Sequence, residues 1–365
     1  MTEEQLGVDI VVDNYNYGRF LADAVESALA QTHAHVKVIV VDDGSTDDSR
    51  ELLKRYEGRV ELVLKENGGQ ASALNAGAAR ATGDIVMFLD ADDVLLPGAA
   101  ALAAGAFAAN PRAAKVQYRL EVIDERGDPT GAIKPPAHLP LPGGDVTREE
   151  LTFPFDLVWL PTSACAFRAT ALRRILPIPE LPFANCADWY LVHLTSLLGE
   201  VVSLQQIGAR YRVHGGNSYE RAGSALDLGH VRQAVVYSAA TTVALERLAG
   251  ELGLALPYAR ILSVADLANR LVSRKLEPAL HPLPGDRVPA LALDGMRAAL
   301  RRFDVSWPMK LLYLGWLAGL AAAPTGLARE LAAFLLPERR ERVNPFLRTL
   351  HRRNRAGRVG ERVSR

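Results

Sequence analysis

Residues 36–45 (VKVIVVDDGS) and 85–93 (IVMFLDADD) each place acidic residues directly after a run of apolar residues. Such a run is typical of a strand that is covered on both faces, as in a parallel sheet. Segments of helix length separate these runs from two more short apolar runs, at 8–12 and 60–64. This alternation predicts an α/β fold with a mostly parallel sheet flanked by helices. Ligands bind beyond the carboxyl ends of such strands, where both acidic clusters stand.

The composition of the 365-residue chain is that of a globular protein, with 49% hydrophobic and 23% charged residues. Its formal net charge is zero, but residues 1–110 carry 8 Lys and Arg against 18 Asp and Glu, whereas residues 337–365 carry 10 Arg against 3 Glu. This asymmetry predicts a cation-using site in the first part and an anionic partner for the tail. Two cysteines and an N-terminus without a secretory signal favour a cytoplasmic protein.

The two acidic clusters suggest different chemistry. In the first, Asp43 can accept the imino N–H of a nucleobase, and the alternative is a cap, by Asp43 or Ser45, on a helix that we expect to begin at Ser45. In the second, Asp90 and Asp92 are two residues apart around a turn, so both carboxylates can bind one divalent cation whose other sites take diphosphate oxygens. The alternative for the second cluster is a solvated turn.

A third acidic position, Asp188, lies far along the chain and opens a predicted helix that continues to Leu198. A carboxylate there can act as the general base that deprotonates an acceptor hydroxyl. The alternative is a helix-start residue that the helix dipole favours. Asp188 lies far beyond the second cluster in the sequence, at the start of a separate helix. We therefore do not expect it to contact a diphosphate bound by that cluster.

In order and spacing, these and other segments resemble the family-2 glycosyltransferases with the GT-A fold. The matching segments are VVDNYNYGRFL at 11–21, AVESALAQT at 24–32, VIVVDDGSTD at 38–47, NGGQASALNAGAARATGD at 67–84 and FLDADDVLLP at 88–97. Two later segments are similar to the family's acceptor-side Asp helix and C-terminal His segment: CADWYLVHLTSLLGEVVSL at 186–204 and YRVHGGNS at 211–218. The resemblance implies a bacterial-type, inverting, metal-dependent transferase that moves a sugar from a nucleotide-sugar donor, UDP-linked by default, to a hydroxyl acceptor.

The same resemblance implies roles for individual residues. Asp188 would be the catalytic base, and a divalent metal, Mg²⁺ or Mn²⁺, would be held by Asp92, Asp90 and His214. Donor-nucleotide binding is implied for six residues: Tyr15, Asn16, Asp43, Gln70, Asn75 and Asp90. Structural alternatives stay open for three of these positions. His214 can be a hydrogen-bonded structural histidine, and Gln70 and Asn75 can serve the start of a helix.

Three features depart from the family or narrow it. Asp13 adds a negative charge near the expected nucleotide, at a position where relatives often have a small residue or proline. The segment PTSACAF at 161–167 also differs from related sequences and leaves the acceptor contacts open. The processive-synthase motif Q-x-x-R-W does not occur, which favours addition of a single sugar.

The chain lacks the motifs that define two other classes of nucleotide-binding enzyme. Neither the G-x-G-x-x-G of nicotinamide oxidoreductases nor the G-x-x-x-x-G-K-[ST] of P-loop enzymes occurs. A sugar nucleotidyltransferase stays open as an alternative, although its usual glycine-rich, basic loop after the first strand is missing. A non-catalytic nucleotide-sugar sensor is disfavoured because Asp188, Asp90 and Asp92 are all present. We expect a cell-surface glycan or a lipid-linked precursor as acceptor, and no nucleic-acid partner.

Three regions are predicted along the chain: a GT-A catalytic domain at 1–220, a helical extension at 221–305, and an apolar, aromatic segment with an Arg-rich tail at 306–365. In the last region, Leu311–Ala328 has no charged residue, and residues 337–365 carry ten arginines. This pattern favours an interface with anionic lipid, peripheral on the inner face of the plasma membrane, over a buried helix pair. A full span is least favoured because glycines and a proline interrupt the apolar run.

Overall fold

The computed structural model describes residues 5–217 and 226–333, which form two compact units that alternate along the sequence. The first unit comprises residues 5–150, 157–217 and 243–255, and the second comprises 151–156, 226–242 and 256–333. The expected boundary at 220 and the Arg-rich tail lie outside the described residues. Residues 306–333 fall in the same unit as most of the expected helical extension.

The first unit is built on a nine-stranded sheet. Its strands are β1 (Val8–Asn14), β2 (Val36–Asp43), β3 (Glu61–Lys65), β4 (Ile85–Asp90), β5 (Val94–Leu95), β6 (Ala113–Ile123), β7 (Pro129–Lys134), β8 (Cys165–Arg168) and β9 (Glu200–Arg212). The order is β3-β2-β1-β4-β8-β6-β9-β5, with β7 paired to β6. The half from β3 to β4 is parallel, whereas β8 runs antiparallel to both its neighbours. The predicted α/β sheet is confirmed, and it becomes mixed beyond β4.

Helices cover the sheet of the first unit. They are α1 (Gly18–Leu29), α2 (Ser49–Leu53), α3 (Gln70–Ala78), α4 (Ala99–Ala109), α5 (Thr147–Glu150), α6 (Ala169–Ile175), α7 (Glu180–Phe183) and α8 (Asp188–Thr195). In α1, the buried residues recur at helical spacing, as expected for a helix with one face on a core. The central strands β1 and β4 are buried along most of their length, which explains the mainly apolar sequence of β1 (VDIVVDN) and the apolar run Ile85–Leu89 of β4.

The helix expected to begin at Ser45 begins at Ser49, so that prediction is wrong. The Ser45 side chain is used by the turn instead, because its hydroxyl accepts hydrogen bonds from the Asn14 amide at 3.0 Å and the Asn16 backbone N–H at 2.9 Å. Asp47 then accepts the backbone N–H of Ser49 at 3.0 Å. Hydrogen bonds from a distant strand end therefore hold residues 45–48 out of the helix, which local capping preferences do not reveal.

The second unit is helical. Its helices are α10 (Val264–Leu276), α11 (Val288–Arg301), α12 (Trp307–Ala322) and α13 (Thr325–Ala332), and α9 (Leu228–Glu251) contributes its first part. The inner face of α12 lies in the core of this unit through the fully buried Leu317 and Leu320. The opposite face is solvent-exposed, with Trp307 66% and Leu311 62% exposed. Within 5–217 and 226–333, no helix has the length and apolar character that a membrane crossing requires.

Candidate active site

A cleft of about 290 Å³ opens in the first unit at the carboxyl ends of β1, β2 and β4. Parallel α/β sheets bind their ligands at this edge, because the strand ends and the following loops converge there. The cleft brings together acidic residues that are far apart in the sequence. Six of the predicted site residues line it: Tyr15, Asp43, Gln70, Asp90, Asp92 and Asp188.

Asn16 and Asn75 are not part of this lining. The Asn16 backbone has a positive φ of 59°, and its side-chain oxygen accepts the Thr46 N–H at 2.7 Å, which ties two loops together. The Asn75 side chain exchanges two hydrogen bonds with the backbone of Ile178, at 2.8 and 2.9 Å. The side-chain oxygen of Asn16 and the side-chain amide of Asn75 thus make hydrogen bonds with backbone groups.

Asp43 lies at the end of β2, and its carboxylate holds the loop before α3. It accepts the backbone N–H groups of Gly68 at 3.0 Å and Gly69 at 2.7 Å, and it forms an ion pair with Lys65. Gly69 has a φ of 85°, and a Cβ there would approach the carbonyl oxygen of Ala184 to 2.5 Å. The glycine is therefore required by conformation and by space. These contacts and the conformation of Gly69 hold the loop at 67–70 in place.

Asp90, Asp92 and Asp93 form a carboxylate cluster in which one ligand atom from each residue lies within 4.8 Å of the others. Burial, together with the charges of Asp92 and Asp188, raises the pKa of Asp90 to about 7. Burial and the charges of Asp92 and Asp90 also raise the pKa of Asp93 well above its usual range. Like charges held in a buried site favour protonation or a bound cation. Hard oxygen ligands at this spacing suit Mg²⁺ or Mn²⁺, so the residues fit a divalent cation.

Asp13, which was noted only as a departure, contributes a fourth carboxylate to this region. It is paired with Asp90 in the parallel register of β1 and β4, and it lines the cleft. Among the described residues, its buried Oδ1 atom has no hydrogen-bond partner. Burial and the charges of Asp90 and Asp92 raise its pKa well above the usual value. The region therefore holds more negative charge than the spacing of Asp90 and Asp92 indicates.

His214 is fully buried beside Asp92, with its Nε2 atom 3.0 Å from Oδ2 of the carboxylate. Its Nδ1 atom accepts the backbone N–H of Gly216 at 3.0 Å and lies 3.3 Å from an Arg19 guanidinium nitrogen. With Nδ1 acting as an acceptor, Nε2 carries the proton and donates to Asp92. Nε2 can therefore bind a cation at Asp92 only after this hydrogen bond is released.

Gln70 connects the carboxylate cluster to the beginning of α8. Its side-chain N–H donates to Asp90 at 3.2 Å, and its side-chain oxygen accepts the Ala187 N–H at 3.0 Å. Asp188 is the first residue of α8, and burial raises the pKa of its carboxyl. The structure thus places the carboxylate cluster and Asp188 in one cleft, with Gln70 between them.

Tyr17 and Asn217 also lie in the cleft, although no role was predicted for them from the sequence. Tyr17 lines the cleft and donates a hydrogen bond through its hydroxyl to the carbonyl oxygen of Gly216. Burial and the nearby carboxylates raise the pKa of Tyr17 to about 12, so the hydroxyl stays protonated. Asn217 lies 3.5 Å from Asp92 through its amide nitrogen. Tyr17 belongs to the segment VVDNYNYGRFL and Asn217 to YRVHGGNS. The resemblance therefore included both residues, although it implied no individual role for either.

Known glycosyltransferases are similar to this chain in sequence. The profile of glycosyl transferase family 2 matches residues 9–175. An uncharacterized glycosyltransferase of Nostoc sp. is 34% identical over 222 residues, which cover 60% of this chain and 68% of that protein. The chain belongs to glycosyl transferase family 2. The putative teichuronic acid biosynthesis glycosyltransferase TuaG of Bacillus subtilis is 42% identical over 97 residues, 26% of this chain and 38% of TuaG.

Solved structures agree on the fold of this family-2 glycosyltransferase. The crystal structure of S. aureus TarS aligns with a TM-score of 0.51 at 16% identity, covering 90% of this chain and 54% of TarS. The shorter TarS 1-349, in complex with UDP-GlcNAc, aligns with a TM-score of 0.51 at 15% identity and covers 96% of this chain and 92% of that one. The likeness is one of GT-A architecture. The chain spans about half the length of full TarS and about two fifths of TuaG.

Proposed function

We propose that the protein transfers a single sugar, with inversion, from a nucleoside diphosphate sugar to a hydroxyl group of an acceptor. One observation carries the proposal: the Asp90–Asp92 cluster and Asp188 lie in the same cleft at the carboxyl edge of the sheet. The cluster suits a cation and a diphosphate, whereas Asp188 offers a carboxylate at the start of a different element. A sensor needs no such base, and a nucleotidyltransferase is not favoured because the family is one of glycosyl transferases.

In this proposal the donor nucleotide occupies the side of the cleft near β1 and β2. Tyr15 is 45% exposed there and offers an aromatic face on which a nucleobase can stack. Asp43 holds the 67–70 loop that forms the floor beside it. We propose uridine as the base, supported by the structure of TarS 1-349 with UDP-GlcNAc.

Asp92 and Asp90 would hold the divalent cation, and His214 would support it through Asp92. When bound, the cation supplies positive charge that neutralises the leaving nucleoside diphosphate. Asp188 accepts the proton of the acceptor hydroxyl as the oxygen attacks the anomeric carbon from the opposite face. A double displacement would need a second carboxylate beside the anomeric carbon, and the proposal assigns none. The configuration therefore inverts.

The stereochemical outcome tests the proposal. The enzyme is incubated with Mn²⁺ and α-linked UDP-sugars, such as UDP-GlcNAc, and with simple glycoside acceptors. The anomeric proton of the product is then followed by NMR from the first turnovers. We expect release of the nucleoside diphosphate and a β-linked product. An α-linked first product would contradict the single-displacement mechanism.

The raised pKa of Asp90 predicts that cation binding depends on pH. Below pH 7 this carboxyl holds a proton in the cation-free protein, and a cation must displace that proton. We therefore expect affinity for Mn²⁺ to fall about tenfold from pH 8 to pH 6, with protons released on binding. Isothermal titration in buffers of different ionisation enthalpy measures both quantities. Asp90→Asn is the control, because it removes the titrating group. Equal affinity at pH 6 and pH 8 without proton release would refute the prediction.

We also propose that the exposed face of α12 contacts an anionic lipid surface, close to a lipid-linked acceptor. This face carries Trp307, Leu311 and Leu312, which are 66%, 62% and 48% exposed. Aromatic and aliphatic side chains suit a membrane interface, and the ten arginines at 337–365 supply the attraction to anionic headgroups. The buried face of α12 packs in the core of the second unit, so the helix would lie parallel to the lipid surface.

Liposome flotation tests this proposal. We expect the full chain to float with anionic vesicles at low salt and to lose most binding at high salt. The double variant Trp307→Ser/Leu311→Ser should weaken partitioning by about tenfold or more, since two large apolar side chains leave the interface. Val243→Ser is the matched control, because Val243 is 68% exposed but lies on α9. Full-length protein that never floats would contradict the proposal.

A further inference from the structure

The thiol of Cys186 and the carboxylate of Asp188 are in direct contact in the cleft. The thiol donates to Oδ1 of Asp188, with the sulfur 2.8 Å from the oxygen, and the Trp189 backbone N–H donates to the same oxygen at 2.9 Å. Cys186 is only 3% exposed, although both residues line the cleft. Among the described residues, Oδ2 of Asp188 receives no hydrogen bond. Two donors therefore occupy one oxygen of the carboxylate, and the other oxygen stays available.

Two opposing effects set the protonation of this carboxyl. Burial raises its pKa, and the hydrogen bond from Cys186 is the largest influence in the other direction, followed by the Trp189 N–H. The charges of His193, on the same helix, and of Lys134, on β7, lower it further. A donor in contact with a carboxylate stabilises the charged form, because a hydrogen bond to an ion is stronger than one to a neutral group.

Other ionisable groups also face Asp188 from the elements around it. Asp90 on β4 interacts with it through like charge, and the buried Cys165 on β8 is close enough for its ionisation to be coupled to Asp188. On β6, the buried Lys115 donates to the carbonyl oxygen of Val192 in α8. The arginines of α6, at 173 and 174, are exposed. Among the described residues, only Cys186 and Trp189 donate a hydrogen bond directly to the carboxylate of Asp188.

We propose that Cys186 is a positioning residue that holds Asp188 as a carboxylate, with Oδ1 anchored and Oδ2 free to take the proton of the acceptor hydroxyl. This inference rests on the proposed function, in which Asp188 is the base. The thiol of Cys186 lowers the pKa of Asp188, whereas burial raises it. An alanine at position 186 removes the thiol, so the base keeps its proton to higher pH. A serine restores a hydroxyl donor on a side chain of similar size.

The test is the pH profile of kcat, measured with saturating donor, acceptor and Mn²⁺, for the wild type, Cys186→Ala and Cys186→Ser. At saturation, kcat reports the ionisations of the loaded enzyme. We expect the acid limb of Cys186→Ala to move up by about one pH unit, the scale of a hydrogen bond to a charged group. Its rate should be about tenfold below the wild type on that limb and should recover at alkaline pH. Cys186→Ser should return the limb to its wild-type position.

Cys165→Ala is the matched control, because it removes the other buried thiol, which contacts the Leu160 carbonyl oxygen rather than Asp188. It should leave the acid limb in place. An unmoved limb in Cys186→Ala, or a loss of equal size at every pH, would overturn the role of Cys186 while wild-type transfer upheld the proposed function. Absence of transfer by the wild type at any pH would instead refute the proposed function, and this inference with it.

Discussion

Asp188→Asn is expected to lower sugar transfer by at least about a hundredfold, while donor and cation affinities stay nearly unchanged. General-base catalysis contributes at least this factor, and asparagine cannot take a proton at neutral pH. The asparagine side-chain oxygen can still accept the hydrogen bonds of the Cys186 thiol and the Trp189 N–H, so the start of α8 should hold. The loss should therefore appear in kcat. Single-turnover transfer, nucleotide titration and a thermal melt on one preparation measure the three quantities.

Asp227→Asn provides the matched control for this substitution. Asp227 lies just before α9 and accepts the backbone N–H of Gly229 at 2.7 Å and of His230 at 3.3 Å, so it is a carboxylate at a helix start outside the cleft. The Asp227→Asn substitution should lower the melting temperature slightly and leave sugar transfer intact. If Asp188→Asn gave the same pattern, Asp188 would be a helix-start residue only, and the base would have to be sought among other carboxylates.

Asp92→Ala is expected to weaken cation-dependent donor binding by more than about a hundredfold. Asp92 is a member of the carboxylate cluster, and it is also the residue that His214 and Asn217 contact from the turn after β9. Without it the cation is poorly held, and the charge of a bound diphosphate is no longer neutralised, which corresponds to several kcal/mol. Isothermal titration of the nucleoside diphosphate, with Mn²⁺ and with EDTA, measures the effect.

Two further variants make this result specific. Asp92→Asn keeps an oxygen that can accept the Nε2–H of His214, so it should preserve the fold around the histidine and still lose most of the Mn²⁺ dependence. Asp128→Ala removes an exposed carboxylate in the turn between β6 and β7. It should leave the Mn²⁺-dependent affinity for the nucleoside diphosphate unchanged. Unchanged Mn²⁺-dependent affinity in Asp92→Ala would show that the cation is bound elsewhere.

The sequence predicted the features that local patterns control. Apolar runs such as Ile85–Leu89 indicated buried strands, and acidic residues at their ends indicated the ligand-binding edge, because strand direction in an α/β sheet decides where side chains meet. The family's ordered segments indicated Asp188 as a partner of the Asp90–Asp92 cluster. The structure places all three residues in one cleft.

The remaining features depend on contacts between distant segments. Asn16 and Asn75 belong to segments that match the family, but their side chains form hydrogen bonds with backbone groups 30 and 103 residues away. The approach of Asp13 to Asp90 follows from the register of β1 against β4, which no local pattern specifies. The hydrogen bond from Cys186 to Asp188 depends on the side-chain arrangement at the beginning of α8. Composition alone could not decide which face of α12 is exposed.

Cation-dependent binding of a nucleoside diphosphate in this cleft can be measured through thermal stability. The melting temperature of the wild type is recorded with UDP, GDP and dTDP, each in the presence of Mn²⁺ and of EDTA, alongside Asp92→Asn. Ligand that binds only the folded state raises the melting temperature by mass action. We predict that UDP stabilises the wild type with Mn²⁺, that EDTA removes the effect, and that Asp92→Asn does not show it. Equal melting temperatures with and without all three nucleotides, in the presence of Mn²⁺, would contradict the account.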